Sequence, residues 1–278
     1  MKKILFFILL LTLADIKIYS QNPAIIRDTI ISMRTYPFFD PNPIPNPDIY
    51  YYPYFRFDGF SLEDKTQSWR EIILENDYIK IAIFPEIGGK IWGAIEKSTG
   101  NEFIYWNSVV KFRDIAMRGP WTSGGLELNY GIIGHSPTTS TPVDYDIQSN
   151  EDGSISCFLS STDLITRTRW ETEVNLQKDK AYFTTKTTWH NPTPLTQPYY
   201  QWINGAFHAK NDLEFCFPGT HWIGHDGEAH EWPIDDQGRN LSWYSQNNFG
   251  GDKSYHIWGG NNDFYACYWH ESDFGSVH

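Results

Sequence analysis

The segment Thr168–Trp189, TRWETEVNLQKDKAYFTTKTTW, decides the fold class. In its first nine residues, apolar or hydroxyl side chains alternate strictly with charged and amide side chains. The positions that share the predicted buried face are Thr168, Trp170, Thr172, Val174 and Leu176. A period of two is the pattern of a strand with one buried and one solvated face. The polar triplet Lys178–Lys180 then predicts a hairpin into a second strand, Ala181–Trp189, and hence an antiparallel sheet.

Further short segments on the N-terminal side have the same character. They are rich in β-branched and aromatic residues, and turn sequences separate them. The predicted strands are Trp69–Glu75, Tyr78–Phe84, Lys90–Glu96 and Phe103–Trp106. We find no convincing amphipathic helix and no repeat of fixed period. Many short strands separated by turns predict an all-β sandwich or barrel.

The first twenty residues have the three-part pattern of a secretory signal. Lys2 and Lys3 precede an apolar stretch, Ile4–Ala14, and a plausible cleavage position lies between Ser20 and Gln21. The apolar stretch is too short to span a bilayer. We therefore expect a secreted or periplasmic protein with no stable membrane span after signal removal. The alternative is that the segment stays in place as a membrane anchor.

After the signal at residues 1–20, two regions differ in composition. Residues 21–53 predict an extended lead-in, and its proline-rich run Asp40–Pro47 cannot pair inside a sheet, so we expect an arm on the surface. Residues 54–278 predict a β domain. The chain stops shortly after a predicted strand, Asp263–Glu271, so we expect that domain to be incomplete at the C-terminus.

The composition favours a carbohydrate partner. The net charge of −12 becomes −14 once the signal is removed, and so acidic a chain repels phosphate backbones, which excludes nucleic acid as an expected partner. The 12 Trp and 17 Tyr offer flat apolar faces with a polar group, which suits stacking on sugar rings. The alternative is a β-rich fold that simply favours aromatic residues. No cofactor is expected, and the sequence does not indicate an oligomeric state.

The three cysteines are too few for a disulfide framework. One bridge could form in an oxidising compartment, but the sequence does not choose the pair. Cys216 and Cys267 both lie in apolar stretches, where buried free thiols are the simpler expectation.

The polar residues of the segment RGPWTSGGLELNYGIIGHS, residues 118–136, form the candidate site. Glu127 and Asn129 are two positions apart, so on an extended segment their side chains point to the same side. Leu126 and Leu128 would then face the core. The preceding Gly124–Gly125 pair permits positive φ or a close approach of the backbone to a ligand.

Each polar side chain of this segment has a candidate role. Glu127 and His135 are the candidate catalytic residues, because such pairs mark sites of proton transfer. The candidate substrate-binding residues of this segment are Arg118, which can fork onto hydroxyls or a carboxylate, Trp121, which can stack on a sugar ring, and Asn129. The alternative is an ion pair between Arg118 and Glu127 that braces a loop, with His135 capping a turn.

The stretch Ile73–Trp106 resembles the opening of the galactose-mutarotase-like supersandwich. A closer resemblance is to the domain-of-unknown-function family numbered 5107, which carries this opening, an R-G-x-W-x-S-G-G-x-E-x-N block with a trailing His, and a segment like Tyr200–Ala206. The resemblance runs from about residue 50 to the end. It implies an antiparallel β-supersandwich that handles carbohydrate, in a family often continued by tetratricopeptide repeats. It adds Trp202 and Asn204 to the candidate substrate-binding residues.

The resemblance to aldose epimerases is incomplete at the site. Their catalytic His would fall in Asn191–Trp202, which offers Gln201 or Trp202 and no His. A glycoside hydrolase needs two carboxylates, about 5.5 Å or about 6.5–9.5 Å apart. Glu127 could be one, and Glu86, beside the Gly-Gly turn, is a candidate for the second and for substrate binding.

The sequence therefore supports three hypotheses about function. We expect an exported domain that binds or processes carbohydrate as part of a glycoside hydrolase. The alternatives are a non-catalytic sugar-binding or scaffold domain and an aldose-epimerase-like enzyme.

The segment His221–His230 contains three His and two acidic residues. Its spacing fits no standard zinc pattern, and no predicted helix aligns the histidines. We therefore expect no metal site here, but a polar loop at a cleft rim with Trp222 and Trp232.

Overall fold

A computed structural model describes residues 22–37, 60–114, 120–131, 136–224, 226–247, 255–259 and 263–278. The predictions for the signal peptide and for Asp40–Pro47 lie outside these residues. Among the residues described, no helix is both long enough and apolar enough to cross a membrane.

The regular secondary structure of the described residues is almost entirely β-strand. The strands are β1 (Ile25–Tyr36), β2 (Lys65–Glu75), β3 (Ile79–Phe84), β4 (Lys90–Glu96), β5 (Glu102–Ile104), β6 (Val109–Lys111), β7 (Arg113–Asp114), β8 (Pro120–Trp121), β9 (Leu126–Gly131), β10 (Asp144–Ser149), β11 (Ile155–Thr162), β12 (Arg169–Leu176), β13 (Phe183–His190), β14 (Tyr200–Gly205), β15 (Leu213–Cys216), β16 (His221–Ile223), β17 (Ala229–Glu231), β18 (His256–Trp258), β19 (Ala266–Trp269) and β20 (Phe274–Val277). Two short 3₁₀ turns are found at Pro137–Ser140 and Tyr244–Gln246. The all-β prediction is confirmed.

Two sheets dominate the architecture. The larger has eight strands in the order β14-β9-β4-β3-β2-β1-β6, with β5 also paired to β4, and the second has four in the order β10-β11-β12-β13. Their pairings are antiparallel, apart from β1 with β6. Smaller sheets are formed by β15-β19-β20, by β17-β16-β18 and by β7-β8.

The main core lies between the two large sheets. Leu74 and Leu128 of the larger sheet and Trp170 and Val174 of the smaller one belong to the same cluster of buried side chains. Strand β12 buries alternate residues, as its sequence pattern predicts, and leaves the charged positions between them exposed or half-buried. The burial of these apolar faces is the main favourable term that holds the sandwich together.

The hairpin after β12 differs in detail from its prediction. Leu176 pairs with Phe183, so the second strand begins at Phe183 rather than Ala181, and the connection is wider than a turn at Lys178–Lys180. The side chain of Asn76 explains the wider loop, because its amide donates to the carbonyls of Gln177 and Lys180 at 2.7 Å each. A contact so distant in sequence leaves no local signal.

The predicted lead-in contributes a strand to the large sheet. Strand β1 pairs with β2 from Ile25 opposite Glu75 to Thr35 opposite Lys65. This pairing also extends β2 back to Lys65, four residues before its predicted start at Trp69. Alternation is weak in β1 because much of the strand is exposed, including Ile30 at 65%.

The outer face of the large sheet is also covered in part. A second apolar cluster there includes Trp69, Phe84, Trp92 and Phe112. The central strands β3 and β4 are therefore buried on both faces, which explains why they read as nearly continuous apolar runs. At one side of this outer face, strands β4, β9 and β14 carry polar side chains instead.

Candidate functional site

The candidate site is built on neighbouring positions of three paired strands. Ile91 of β4 lies opposite Leu126 of β9, which by antiparallel register puts Lys90 opposite Glu127. On the other side of β9, Asn204 of β14 also lies opposite Glu127. Lys90, Glu127 and Asn204 thus form one row across the sheet.

A second row follows one step along the strands, where Trp202 lies opposite Asn129. Leu126, Leu128 and Tyr130 belong to the core between the sheets, so the alternation of β9 places Glu127 and Asn129 on the outer face. This arrangement follows the prediction from their two-residue spacing. We call the five side chains of the two rows the polar face: Lys90, Glu127, Asn129, Trp202 and Asn204.

The carboxylate of Glu127 is held inside the protein. The residue is only 1% exposed. Its Oε1 accepts a hydrogen bond of 2.8 Å from the side-chain amide of Asn129, and its Oε2 lies 3.8 Å from the Nζ of Lys90. The Oδ1 of Asn129 in turn accepts the backbone N–H of Ser136 at 2.9 Å, so the amide is held from both ends.

The ammonium of Lys90 is buried beside this carboxylate. It donates to the carbonyl and, at 3.1 Å, to the hydroxyl of Thr122. Burial lowers the pKa of Lys90 from 10.5 to about 8, while the attraction of Glu127 acts against that fall. The polar face therefore contains a buried amino group with a pKa of about 8.

Sequence analysis missed Lys90. The available signal was a lone charged residue directly after the Gly-Gly turn and at the head of an apolar strand, KIWGAI. Such a lysine must lie at a strand end in solvent or find an anionic partner inside.

Gly125 lets the chain pass close to this lysine. Its φ is +68°, and a Cβ there would lie 2.5 Å from the carbonyl oxygen of Ile91 and 3.2 Å from the Cε of Lys90. Only glycine, which has no Cβ, tolerates both this positive φ and this close approach to Ile91. The positive φ predicted for the glycine pair before Glu127 is confirmed, while the close approach made here is to the protein itself and an approach to a ligand stays a prediction.

The accessible part of the polar face lies on the edge strand β14. Trp202 and Asn204 are half-buried, and Tyr200, which shares their side of the strand, is 43% exposed. The rings of Tyr200 and Trp202 lie 6.3 Å apart at an angle of 41°. An aromatic pair, exposed at Tyr200 and half-buried at Trp202, therefore lies beside the strand that carries the fixed and fully buried amide of Asn129.

The other candidate residues have different surroundings. Trp121 is half-buried on β8, which contacts the 3₁₀ turn that also touches β9. The carboxylate of Glu86 accepts the backbone N–H of Arg70 at 2.5 Å. Arg118 and His135 lie outside the described residues, so the predicted roles of both, and the alternative ion pair of Arg118 with Glu127, stay predictions.

The segment His221–His230 brings three potential metal ligands together. One ligand atom from each of Asp226, Glu228 and His230 lies within 4.8 Å of the others. Both carboxylate residues are exposed, and such groups are common without a metal ion, so this cluster does not by itself define a metal centre. His225 lies outside the described residues. Trp232 is buried with Leu241 and Ile257 in a small cluster rather than placed at a rim.

All three cysteines are free thiols. Burial raises the pKa of Cys157 to about 12 and that of Cys267 to about 11. Because the thiolate is the reactive form, neither residue is suited to nucleophilic chemistry at neutral pH.

Comparisons with known proteins give one family and a fold. The family model described as "Domain of unknown function (DUF5107)" matches residues 46–278. The chain is also similar to the crystal structure, at 2.26 Å resolution, of a TPR-domain containing protein from Parabacteroides distasonis ATCC 8503. The TM-score is 0.72 at 21% sequence identity, and the match covers 89% of this chain and 42% of that one. At this identity the likeness shows the fold, and the chain spans less than half the length of that neighbour.

Proposed function

The chain belongs to the DUF5107 family of domains of unknown function, and from this premise we propose that it is an exported carbohydrate-binding domain. The polar face of β4, β9 and β14 is the proposed ligand surface. The observation that carries the proposal is the aromatic pair of exposed Tyr200 and half-buried Trp202 on the edge strand, beside the amide of Asn129 that a buried network holds.

Sugar recognition needs both kinds of group found there. A pyranose ring offers apolar C–H patches to an aromatic face and hydroxyls to planar amides. Asn129 is fully buried and is held by Glu127 and Ser136, so it supports the surface from beneath, while the half-buried Asn204 is the amide that a hydroxyl can reach. Such preorganisation supports binding because less side-chain freedom is lost when the ligand docks.

Binding is better supported than hydrolysis at this surface. The two rows of the polar face contain one carboxylate, Glu127, and it is buried against Lys90. A glycoside hydrolase generally uses two carboxylates that flank the scissile bond. On this proposal the domain supplies glycan recognition, and hydrolysis by a longer protein would require a second acid, such as Glu86, to come within range.

Replacing Trp202 by alanine is expected to weaken glycan binding by about 1–3 kcal/mol, or from about fivefold to about 150-fold. The loss follows from removing a flat ring beside Asn129. Titration calorimetry of a panel of soluble glycans against the wild type identifies a ligand, which is then titrated against the variant. Trp258→Ala is the matched control, because Trp258 is 59% exposed on the separate strand β18. Equal affinity in the wild type and the Trp202 variant would remove the polar face from the proposal.

The exported protein is expected to begin near Gln21. The motivation is the signal pattern of residues 1–20, with its basic start and short apolar stretch. N-terminal sequencing of protein recovered from the periplasm or medium checks this. An intact Met1 on that material contradicts export by cleavage.

A further inference from the structure

A second candidate site lies apart from the residues of the polar face. A cavity of about 200 Å³ opens between the start of β5, the segment 208–210 and the hairpin of β19 and β20. Its lining includes Asn101, Glu102, His208, Lys210, Trp269 and Ser272, and none of the five residues of the polar face. Pockets for drug-sized ligands span about 300–1,000 Å³, so this one suits a single ring rather than a chain of them.

A carboxylate–imidazole pair forms one wall of the cavity. The Nε2 of His208 lies 2.8 Å from the Oε2 of Glu102, which also accepts the backbone N–H of Trp106 at 3.0 Å. The ring of Tyr105 meets the imidazole edge-on, with centroids 4.9 Å apart. The imidazole is thus held on two sides, while His208 keeps 38% of its side chain exposed.

The opposite wall is aromatic. Trp269 is 2% exposed, and its ring stacks on that of Phe274 with centroids 6.0 Å apart. The indole N–H of Trp269 donates to the carbonyl of His208 at 2.8 Å, which ties the segment 208–210 to β19. The part of this wall that a ligand can reach is therefore carbon surface, chiefly of the half-buried Phe274, since the polar atom of Trp269 is already bonded within the protein.

Two polar side chains at the cavity are available to a ligand. Among the described residues, Asn101 and Lys210 make no hydrogen bond or ion pair through their side chains. The carboxylate of Glu102 already lies within hydrogen-bond distance of His208, at 2.8 Å, whereas the exposed ammonium of Lys210 has no such partner among the described residues and can meet an anionic group. In a chain of net charge −12, an unpaired ammonium beside a cavity favours an anionic ligand locally.

We propose that this cavity binds a single sugar ring that carries a carboxylate, a hexuronic acid. The carboxylate meets Lys210, the hydroxyls meet Asn101 and the Glu102–His208 pair, and the ring lies along the aromatic wall. The ligand is either the free acid or the uronic acid residue at the end of a glycan. The proposal does not depend on ligand binding at the polar face.

Calorimetric titration of the purified protein with glucuronate and with galacturonate tests it. We expect at least one of these acids to bind at least about tenfold more tightly than its neutral parent, glucose or galactose, because a hydrogen-bonded charge is gained. Lys210→Met keeps the apolar stem and should abolish that difference. The control Lys186→Met replaces an exposed lysine of β13, in the four-stranded sheet, that does not line the cavity. This variant should keep the difference in affinity.

Two further titrations distinguish the free acid from the end of a glycan as the ligand, and the cavity from the polar face as the binding site. The methyl glycoside of the tighter-binding acid should bind like the free acid if a glycan end is accepted, and more weakly if only the free acid fits. Trp202→Ala should leave binding of that acid unchanged, so that failure at one site does not imply failure at the other. If neither acid binds more tightly than its neutral parent, or if Lys210→Met leaves the preference intact in folded protein, the proposal is overturned.

Discussion

Replacing Glu127 by glutamine is expected to lower the free energy of unfolding by about 3–5 kcal/mol at pH 7, the usual cost of removing one partner from a buried ion pair. Both side chains of the Lys90–Glu127 pair are 2% exposed, with their charged atoms 3.8 Å apart. Without the carboxylate, the ammonium stays buried among neutral groups, and the pKa of Lys90 falls further below its ordinary value. Urea denaturation of the two proteins measures the difference.

Two matched variants isolate the cause. The double variant with Lys90→Met and Glu127→Gln removes both charges, and we expect it to recover most of the stability that the single change loses. Lys97→Met breaks a more accessible pair with Glu75, whose charged atoms lie 2.7 Å apart with side chains 33% and 19% exposed, and should cost no more than about 1 kcal/mol. If Glu127→Gln costs no more than Lys97→Met, the buried pair is not a stabilising element.

The pH dependence of this pair has a definite sign. Burial lowers the pKa of Lys90 from 10.5 to about 8, so the folded protein releases this proton before the unfolded chain does. Between about pH 8 and pH 10.5 the unfolded chain binds more protons, and stability contributed by this group rises with pH. Below pH 8 both states hold the proton and the contribution is constant. Wild-type stability relative to the double variant should therefore increase from pH 8 to pH 10, and a decrease would contradict the lowered pKa.

The fold class could be predicted because its signals are local. Trp170 and Val174 lie on one side of β12 whatever sheet they pack against, so alternation alone identifies the strand. The placement of Glu127 with Asn129 is local for the same reason. Strand β1 escaped prediction because its partner is distant in sequence. Two of its polar residues, Arg27 and Asp28, are matched by charges on β2 rather than by any pattern of their own.

The parts of the site that could not be predicted depend on strand register. Lys90 meets Glu127 only because β4 and β9 pair with Ile91 opposite Leu126. No property of either segment alone specifies that pairing. The carboxylate–imidazole pair of the cavity joins Glu102, the first residue of the three-residue strand β5, to His208, 106 positions later in the connection between β14 and β15, and neither segment is long enough to carry a periodic signal. Sequence patterns thus identify the strands that carry a site, while the contacts between distant segments determine its chemistry.

Replacing Gly88 by alanine is expected to lower the free energy of unfolding by about 2–5 kcal/mol, the sum of a left-handed backbone penalty and of overpacking. The φ of Gly88 is +67°, and a Cβ there would lie 2.4 Å from the Cα of Thr139 and 2.6 Å from the carbonyl oxygen of Thr138. Both obstacles are backbone atoms, so no side-chain rotation relieves the clash. The 3₁₀ turn at Pro137–Ser140 has to move instead.

The matched control for this change is Gly100→Ala. Gly100 has a similar φ of +76°, but a Cβ there meets no atom within 4 Å, so this variant reports the backbone penalty alone, about 1–2 kcal/mol. Movement of the 3₁₀ turn should also shift Ser136, whose N–H holds the amide of Asn129. Folded Gly88→Ala protein should therefore bind the glycan of the polar face more weakly than Gly100→Ala protein does. Equal stability and equal binding in the two variants would mean that the 3₁₀ turn at Pro137–Ser140 moves at little energetic cost. The Gly-Gly turn at Gly88 would then not position the site.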